Sequence, residues 1–197
     1  MLAAHRAQLF ISLIYTKDED ACIKHIDMYD DFCDIITHGW NTLMEACYRG
    51  LERVVLKLIE KKVDVNYKTP YGNTALHIAS YSGPNGYVDI AKILLQNGAD
   101  VNAKNDAGES ALMEACDNWN FKLAFVLIKY GADIMDIVEH KNLRDGWNHP
   151  LWTYIKDIYI KYITAAMNDT APDNIMAMCF KTTYVFGITD LICEFII

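Results

Sequence analysis

A chain of 197 residues, 52% of them hydrophobic, can bury a sizeable core and lacks the composition of a disordered segment. Its net charge of −8 gives no general attraction to phosphate backbones or anionic lipid, so nucleic-acid binding would need a local basic patch. The nearest one, "KLIEKK" at Lys57 to Lys62, reads as a solvated helix end, where lysines suit the helix dipole. Six cysteines stand far apart with no CxxC pair, which suits buried reduced thiols better than a disulfide framework or zinc ribbon. No segment reaches the roughly 18 uninterrupted apolar residues of a membrane span, and the N-terminal apolar run is too short and interrupted for a signal peptide. These features predict an intracellular protein, cytoplasmic or nuclear, with no membrane partner.

In chain order, "AHRAQLFISLIY", a break at Thr16 to Asp18 and "EDACIKHI" predict a helix pair. Three similar windows follow: Gly39 to Asn66, Gly72 to Asn102 and Gly108 to Met135. Leu43 to Leu76 is a step of 33, and Leu76 to Leu112 a step of 36. The extra three residues are Gly83-Pro84-Asn85. Each window opens with a glycine, where a turn needs an unusual backbone angle. A helix-capping type comes two residues later, at Asn41, Thr74 and Ser110. A first helix then carries Leu and Ala three apart: Leu43 and Ala46, Leu76 and Ala79, Leu112 and Ala115. The small alanine allows close approach of a neighbouring helix. A second, amphipathic helix follows, such as "VDIAKILLQ". Gly98 and Gly131 stand where a left-handed cap ends that helix, and Lys62 replaces the glycine in the first window, predicting a weaker cap. "DGWNHPLWTYIKDIYIKYI" begins a damaged fourth unit, "TAAMNDTAPDN" is a linker or turn, and the remaining apolar tail departs from the pattern.

"GNTALHIASYSG" and "LLQNGADVNAKNDAGESAL" resemble ankyrin repeats, with several positions matching at the correct period in three consecutive units. Thr74-Ala75-Leu76-His77 is similar to the family's Thr-Pro-Leu-His, while Met44 and Met113 replace the histidine in the other two units. The resemblance implies an all-α ankyrin-repeat solenoid of helix-turn-helix units with short loop fingers and helical caps. The expected organisation is a degenerate capping repeat at 1–33, and repeats at 34–66, 67–102 (with the three-residue insertion) and 103–135. A degenerate repeat at 136–165 and a non-repeat cap or tail at 166–197 follow. A tail that caps the open end meets a requirement for solubility; it could instead serve as a surface for a second copy or a partner.

Several residues invite a chemical role. Cys22 and His25 share a helix face, as half a zinc site would, but Cys33 and His38 supply no second tight pair, so packing is preferred and no metal or other cofactor is expected. In the family, the histidine at the position of His77 ties its helix to the adjoining loop. Cys47 and Cys116 occupy the same place in aligned units and read as packing residues, and Glu45 and Glu114, also aligned, as helix-surface charges. No GxSxG, P-loop, HExxH or GxGxxG is present, which predicts a protein that is not an enzyme.

In the family, fingers and first helices form a concave binding face. The resemblance places His38, Trp40, Tyr48 and Arg49 there from one unit, Tyr71, Asn73, Tyr81 and Ser82 from the next, and Ala107, Glu109, Asp117 and Asn118 from the third. One tryptophan, three tyrosines and an arginine across two adjacent units have the composition of a protein interface. The expected function is recognition of another protein. Abundant Ile, Lys, Asn, Tyr and Asp suit an AT-rich viral or microbial genome, and ankyrin proteins of such sources often target host proteins. Two rivals are an effector or enzyme in which the stack targets and the tail acts, and membrane association through the apolar C-terminus.

Overall fold

The computed structural model describes residues 2–133, apart from Asp30, Asp34 and 82–86. The sequence expectations for Ser82, for the insertion at Gly83 to Gly86, for the unit at 136–165 and for the tail at 166–197 lie outside the described residues. Eight helices are described: α1 (Leu2–Thr16), α2 (Glu19–Met28), α3 (Thr42–Arg49), α4 (Glu52–Glu60), α5 (Ala75–Tyr81), α6 (Val88–Gln96), α7 (Ala111–Asp117) and α8 (Phe121–Lys129). Among the described residues there is no strand, and no helix is long and apolar enough to cross a membrane.

The helices form two layers. The first helix of each pair packs on the next such helix, α1 on α3, α3 on α5 and α5 on α7. The second helices do the same, α2 on α4, α4 on α6 and α6 on α8. Periodicity explains this. Leu43, Leu76 and Leu112 are almost wholly buried, and Ala46, Ala79 and Ala115 have no exposed surface, so the inner helices approach over a methyl group. Leu58, Leu94 and Leu127 do the same work in the outer layer. Burying one such leucine is worth about 1.5–3 kcal/mol, and the pattern repeats it in every unit.

Helix starts follow the capping residues, with one variation. Asn41 Oδ1 accepts from the Met44 N–H at 2.9 Å, and the Ser110 hydroxyl from the Met113 N–H at 3.5 Å. In the middle unit the bond runs the other way: His77 Nδ1 accepts from the Thr74 N–H at 3.2 Å and lies 2.8 Å from the Thr74 hydroxyl oxygen. The other ring nitrogen, Nε2, faces the Glu109 carbonyl oxygen at 3.1 Å. A carbonyl can only accept, so Nε2 carries the proton and the ring is the neutral Nε2–H tautomer. Burial lowers the His77 pKa, with the Glu109 carbonyl pulling weakly the other way. In the first unit Met44 fills the histidine's place, fully buried, and Asn41 ties the helix to a loop by donating from Nδ2 to the Asp64 carbonyl.

The fingers are short turns closed by Thr37 with Trp40, Thr69 with Asn73 and Asn105 with Glu109. Neighbouring fingers touch through the Asp106 N–H, which donates to the Tyr71 carbonyl at 3.0 Å. Gly72 permits this approach: its φ is +77°, and a Cβ there would lie 2.8 Å from the Asp106 nitrogen. Below the fingers runs a ladder of asparagines. Asn66 donates to the Gly98 carbonyl and accepts from the Asp100 N–H. One unit on, Asn102 donates to the Gly131 carbonyl and accepts from the Asp133 N–H. The Asp-Val-Asn motif is therefore an inter-repeat tie, a role its spacing alone did not suggest. Lys62, as its position implies, is forced into the left-handed region at φ +64°.

At the N-terminal end, His25 is buried against the rings of Phe10, Tyr29 and Phe32, with Nε2 donating to the Arg6 carbonyl. That accounts for Cys22 and His25 as packing residues. Burial raises the Cys22 thiol pKa to about 11, and Cys33, Cys47 and Cys116 are buried as well.

Candidate functional site

The finger ending at Trp40 and the inner helices α3, α5 and α7 border a groove of about 340 Å³. Trp40 and Tyr48 form one wall. Their rings meet edge to face, with centroids 5.5 Å apart at 84°. Tyr81, at the end of α5, and Ile78, one helical turn before it, form the middle. Asn73 and His77 add polar surface, and Glu114 of α7 closes the far side. Behind the wall the Tyr48 backbone carbonyl accepts from the Tyr87 hydroxyl, and His77 has both nitrogens engaged.

Of the residues expected at the concave face, the groove gathers Trp40, Tyr48, Asn73 and Tyr81. Tyr81 is 61% exposed and Tyr48 43% exposed, although both stand on packed helices. The others that are described lie around or away from it. His38 is exposed at the finger tip with φ +54°. Arg49 stacks its guanidinium over the Tyr15 ring at 4.0 Å and over Tyr48 at 5.3 Å. Tyr71, 76% exposed, projects from the tip of the next finger. Glu109 is half-buried and serves its own turn: its N–H donates to Asn105 Oδ1, and its carboxylate accepts from Asn105 Nδ2. Asp117 is exposed at the end of α7. Of the further concave-face candidates, Ala107 is exposed, and Asn118 donates from its side chain to the Glu114 carbonyl.

Three groove residues escaped the sequence reading: His77, given only a fold role, Ile78, and Glu114. The reading of Glu114 and Glu45 as helix-surface charges needs correction. Both are half-buried, and burial raises both pKa values. Around Glu45 the charges of Arg49 and His38 oppose that rise, whereas around Glu114 the carboxylates of Glu109 and Asp117 add to it. The repeat alignment held the signal in part, since Glu114 sits three residues before Asp117 on the same short helix.

Trp119 was also missed. It is 68% exposed, follows α7, and takes φ +59° at a helix end where the first unit has Gly50. Its ring meets Phe121 edge-on.

Nothing in this geometry favours bond-making chemistry. Burial pushes the Cys116 thiol up to about 12 and the Cys47 thiol higher still, which keeps both protonated and poor as nucleophiles. His77 has its basic nitrogen occupied by its own helix start.

Comparison with known proteins gives a match to the family profile described as ankyrin repeats in three copies, over residues 1–105 and 85–138. Ankyrin repeat and KH domain-containing protein 1 of Homo sapiens is 39% identical over 102 residues, which is 51% of this chain and 4% of that protein. The human BCL-6 corepressor-like protein 1 is 38% identical over 96 residues, 48% of this chain and 5% of that protein. An ankyrin repeat protein of Acanthamoeba polyphaga mimivirus is 35% identical over 106 residues, 47% of this chain and 18% of that protein. The matched region is thus a small part of each of these relatives, and what it shares with them is the repeat stack.

Proposed function

The chain belongs to the ankyrin-repeat family, whose repeats mediate protein–protein interaction, and from that premise we propose that its concave face docks another protein. The observation that carries this is the groove itself. Tyr48 and Tyr81 display exposed rings on neighbouring inner helices, and the partly exposed Trp40 meets Tyr48 edge to face beside them. Tryptophan and tyrosine have few rotatable bonds and lose little side-chain entropy on binding, which makes them efficient contacts. His38 and Tyr71 at the finger tips, with Arg49, Asn73, Glu109 and Asp117, make up the wider contact surface.

The partner is a protein and not nucleic acid, in keeping with the net charge of −8 and with the acidic far side of the groove. Similarity to a mimivirus protein, together with the AT-rich style of the composition, supports a host protein of the cytoplasm or nucleus as the target. The test is affinity capture from host-cell lysate with mass spectrometry of the bound proteins. The Trp40→Ala/Tyr81→Ala protein is expected to lose the partner that the wild type retains, with a nearly unchanged thermal melt. Equal capture by both proteins would place the binding face elsewhere.

A further inference from the structure

We propose that the groove receives a basic side chain, an arginine or lysine, presented by the partner protein and seated between the rings of Trp40, Tyr48 and Tyr81 and the carboxylate of Glu114. This rests on the reading of the concave face as a docking surface and names the chemistry of what enters it.

Two observations point to a cation, and two more fit one long side chain carried on a peptide. The first is the set of aromatic walls. The face of a tryptophan or tyrosine ring carries negative potential, and a cation placed over it is attracted, more strongly as water is excluded. The second is charge. Glu114 lines the groove half-buried, and the charges acting on it, Glu109 and Asp117, are themselves acidic. None of the residues lining the groove is a lysine or arginine; the nearby Arg49 guanidinium lies 5.3 Å from the Tyr48 ring and closer, at 4.0 Å, to the ring of Tyr15. Glu45 shows the contrast: the charges of Arg49 and His38 from its own unit oppose the effect of its burial. The opposite charge that Glu45 has from within the chain is what an incoming cation would bring to Glu114. The third is size. About 340 Å³ lies at the low end of the roughly 300–1,000 Å³ of ligand pockets, enough for one long side chain. The fourth is the polar lining. Asn73 gives its oxygen to Asn105 Nδ2 at 3.0 Å, so it offers N–H groups to a carbonyl of the arriving segment. His77, with both nitrogens bonded, offers only its ring.

The experiment titrates the whole chain at low ionic strength with the peptide acetyl-Gly-Gly-Arg-Gly-Gly-amide and with its citrulline counterpart, which has the same shape and no charge. The readout is the indole N–H resonance of Trp40, identified by its loss in Trp40→Phe. The arginine peptide is expected to move that resonance at concentrations on the order of tenfold below those the citrulline peptide needs. Glu114→Gln should erase the preference, and Tyr81→Leu, which keeps an apolar wall without its π face, should weaken it. Both variants should melt like the wild type. A response equal for the two peptides, absent for both, or still charge-selective in Glu114→Gln overturns the proposal. If the peptides respond equally while the Trp40→Ala/Tyr81→Ala protein loses its partner, the cation falls and the docking surface stands. If that double variant keeps its partner, the docking reading itself falls.

Discussion

His77 makes a sharp test of how the stack is held, because the same repeat position accepts methionine elsewhere in the chain. His77→Met should pack, since Met44 is fully buried in the equivalent place. What it removes is polar: the acceptor for the buried Thr74 N–H and the donor to the Glu109 carbonyl. Leaving such groups unpaired costs about 1–3 kcal/mol each when buried, and Glu109 is only half-buried, so a loss of about 2–4 kcal/mol is expected at pH 7.5. At about 2–4 °C per kcal/mol this lowers Tm by roughly 4–16 °C.

The pH dependence isolates the imidazole. Its folded pKa is depressed by burial, so below an unfolded value of about 6.5 the unfolded chain binds the proton first. The stability from the neutral ring is fully present above that value. It is lost as pH falls from there toward the folded pKa, by up to about 1.4 kcal/mol per pH unit. His25, also depressed, follows the same course, while Glu45 and Glu114, with raised pKa values, act in the opposite sense at lower pH. All three titrate alike in wild type and variant, so the difference between the two melts reports His77. Circular dichroism melts from pH 7.5 to 5.5 should show the gap in Tm narrowing on acidification. A gap that stays constant or widens would refute the neutral, doubly bonded histidine.

Gly50→Ala should cost more than Gly98→Ala. Both glycines have positive φ, but a Cβ at Gly50 would meet the Tyr87 ring at 2.4 Å, whereas Gly98 faces open space. The shared backbone strain is about 1–2 kcal/mol, so chemical denaturation should separate the two variants by the Tyr87 overlap alone. Lys62→Gly should raise stability by about 1 kcal/mol, seen as a higher midpoint, because it relieves φ +64° in a non-glycine residue. Asn66→Ala removes both rungs of its inter-repeat tie and should cost about 1–2 kcal/mol, with hydrogen exchange quickening at the Asp100 amide that loses its acceptor.

Much of the stack was legible because it rests on local periodicity. A leucine and an alanine three apart, a capping residue before them and a glycine before that are enough to mark each inner helix, and Asn41 and Ser110 cap as their type implies. Thr74 departs from this because a histidine three residues on accepts from the Thr74 N–H and lies beside its hydroxyl, so the bond runs from the start residue to the helix instead of back. The groove was half legible. Tyr48 and Tyr81 stand out as large aromatics on first helices and Trp40 on the finger before one, but Glu114 becomes a groove residue only when α7 packs on α5, a relation that no single window contains. Tyr71 looked equivalent to Tyr81 in composition, yet the finger carries it to the tip, away from the cavity. The asparagine ladder was hidden for a similar reason: each Asn66 and Asn102 side chain bonds to residues 29 to 34 positions further on.

The central claim is that partner recognition occurs on the inner-helix face. The most direct measurement is the dissociation constant of the captured partner for Trp40→Ala/Tyr81→Ala beside that for Leu56→Ala, an exposed leucine on the outer helix α4. Two contacts of hot-spot strength predict a loss of about 100-fold or more for the first protein and an unchanged constant for the second. A partner that ignores the aromatic pair and is lost with Leu56 would contradict the account.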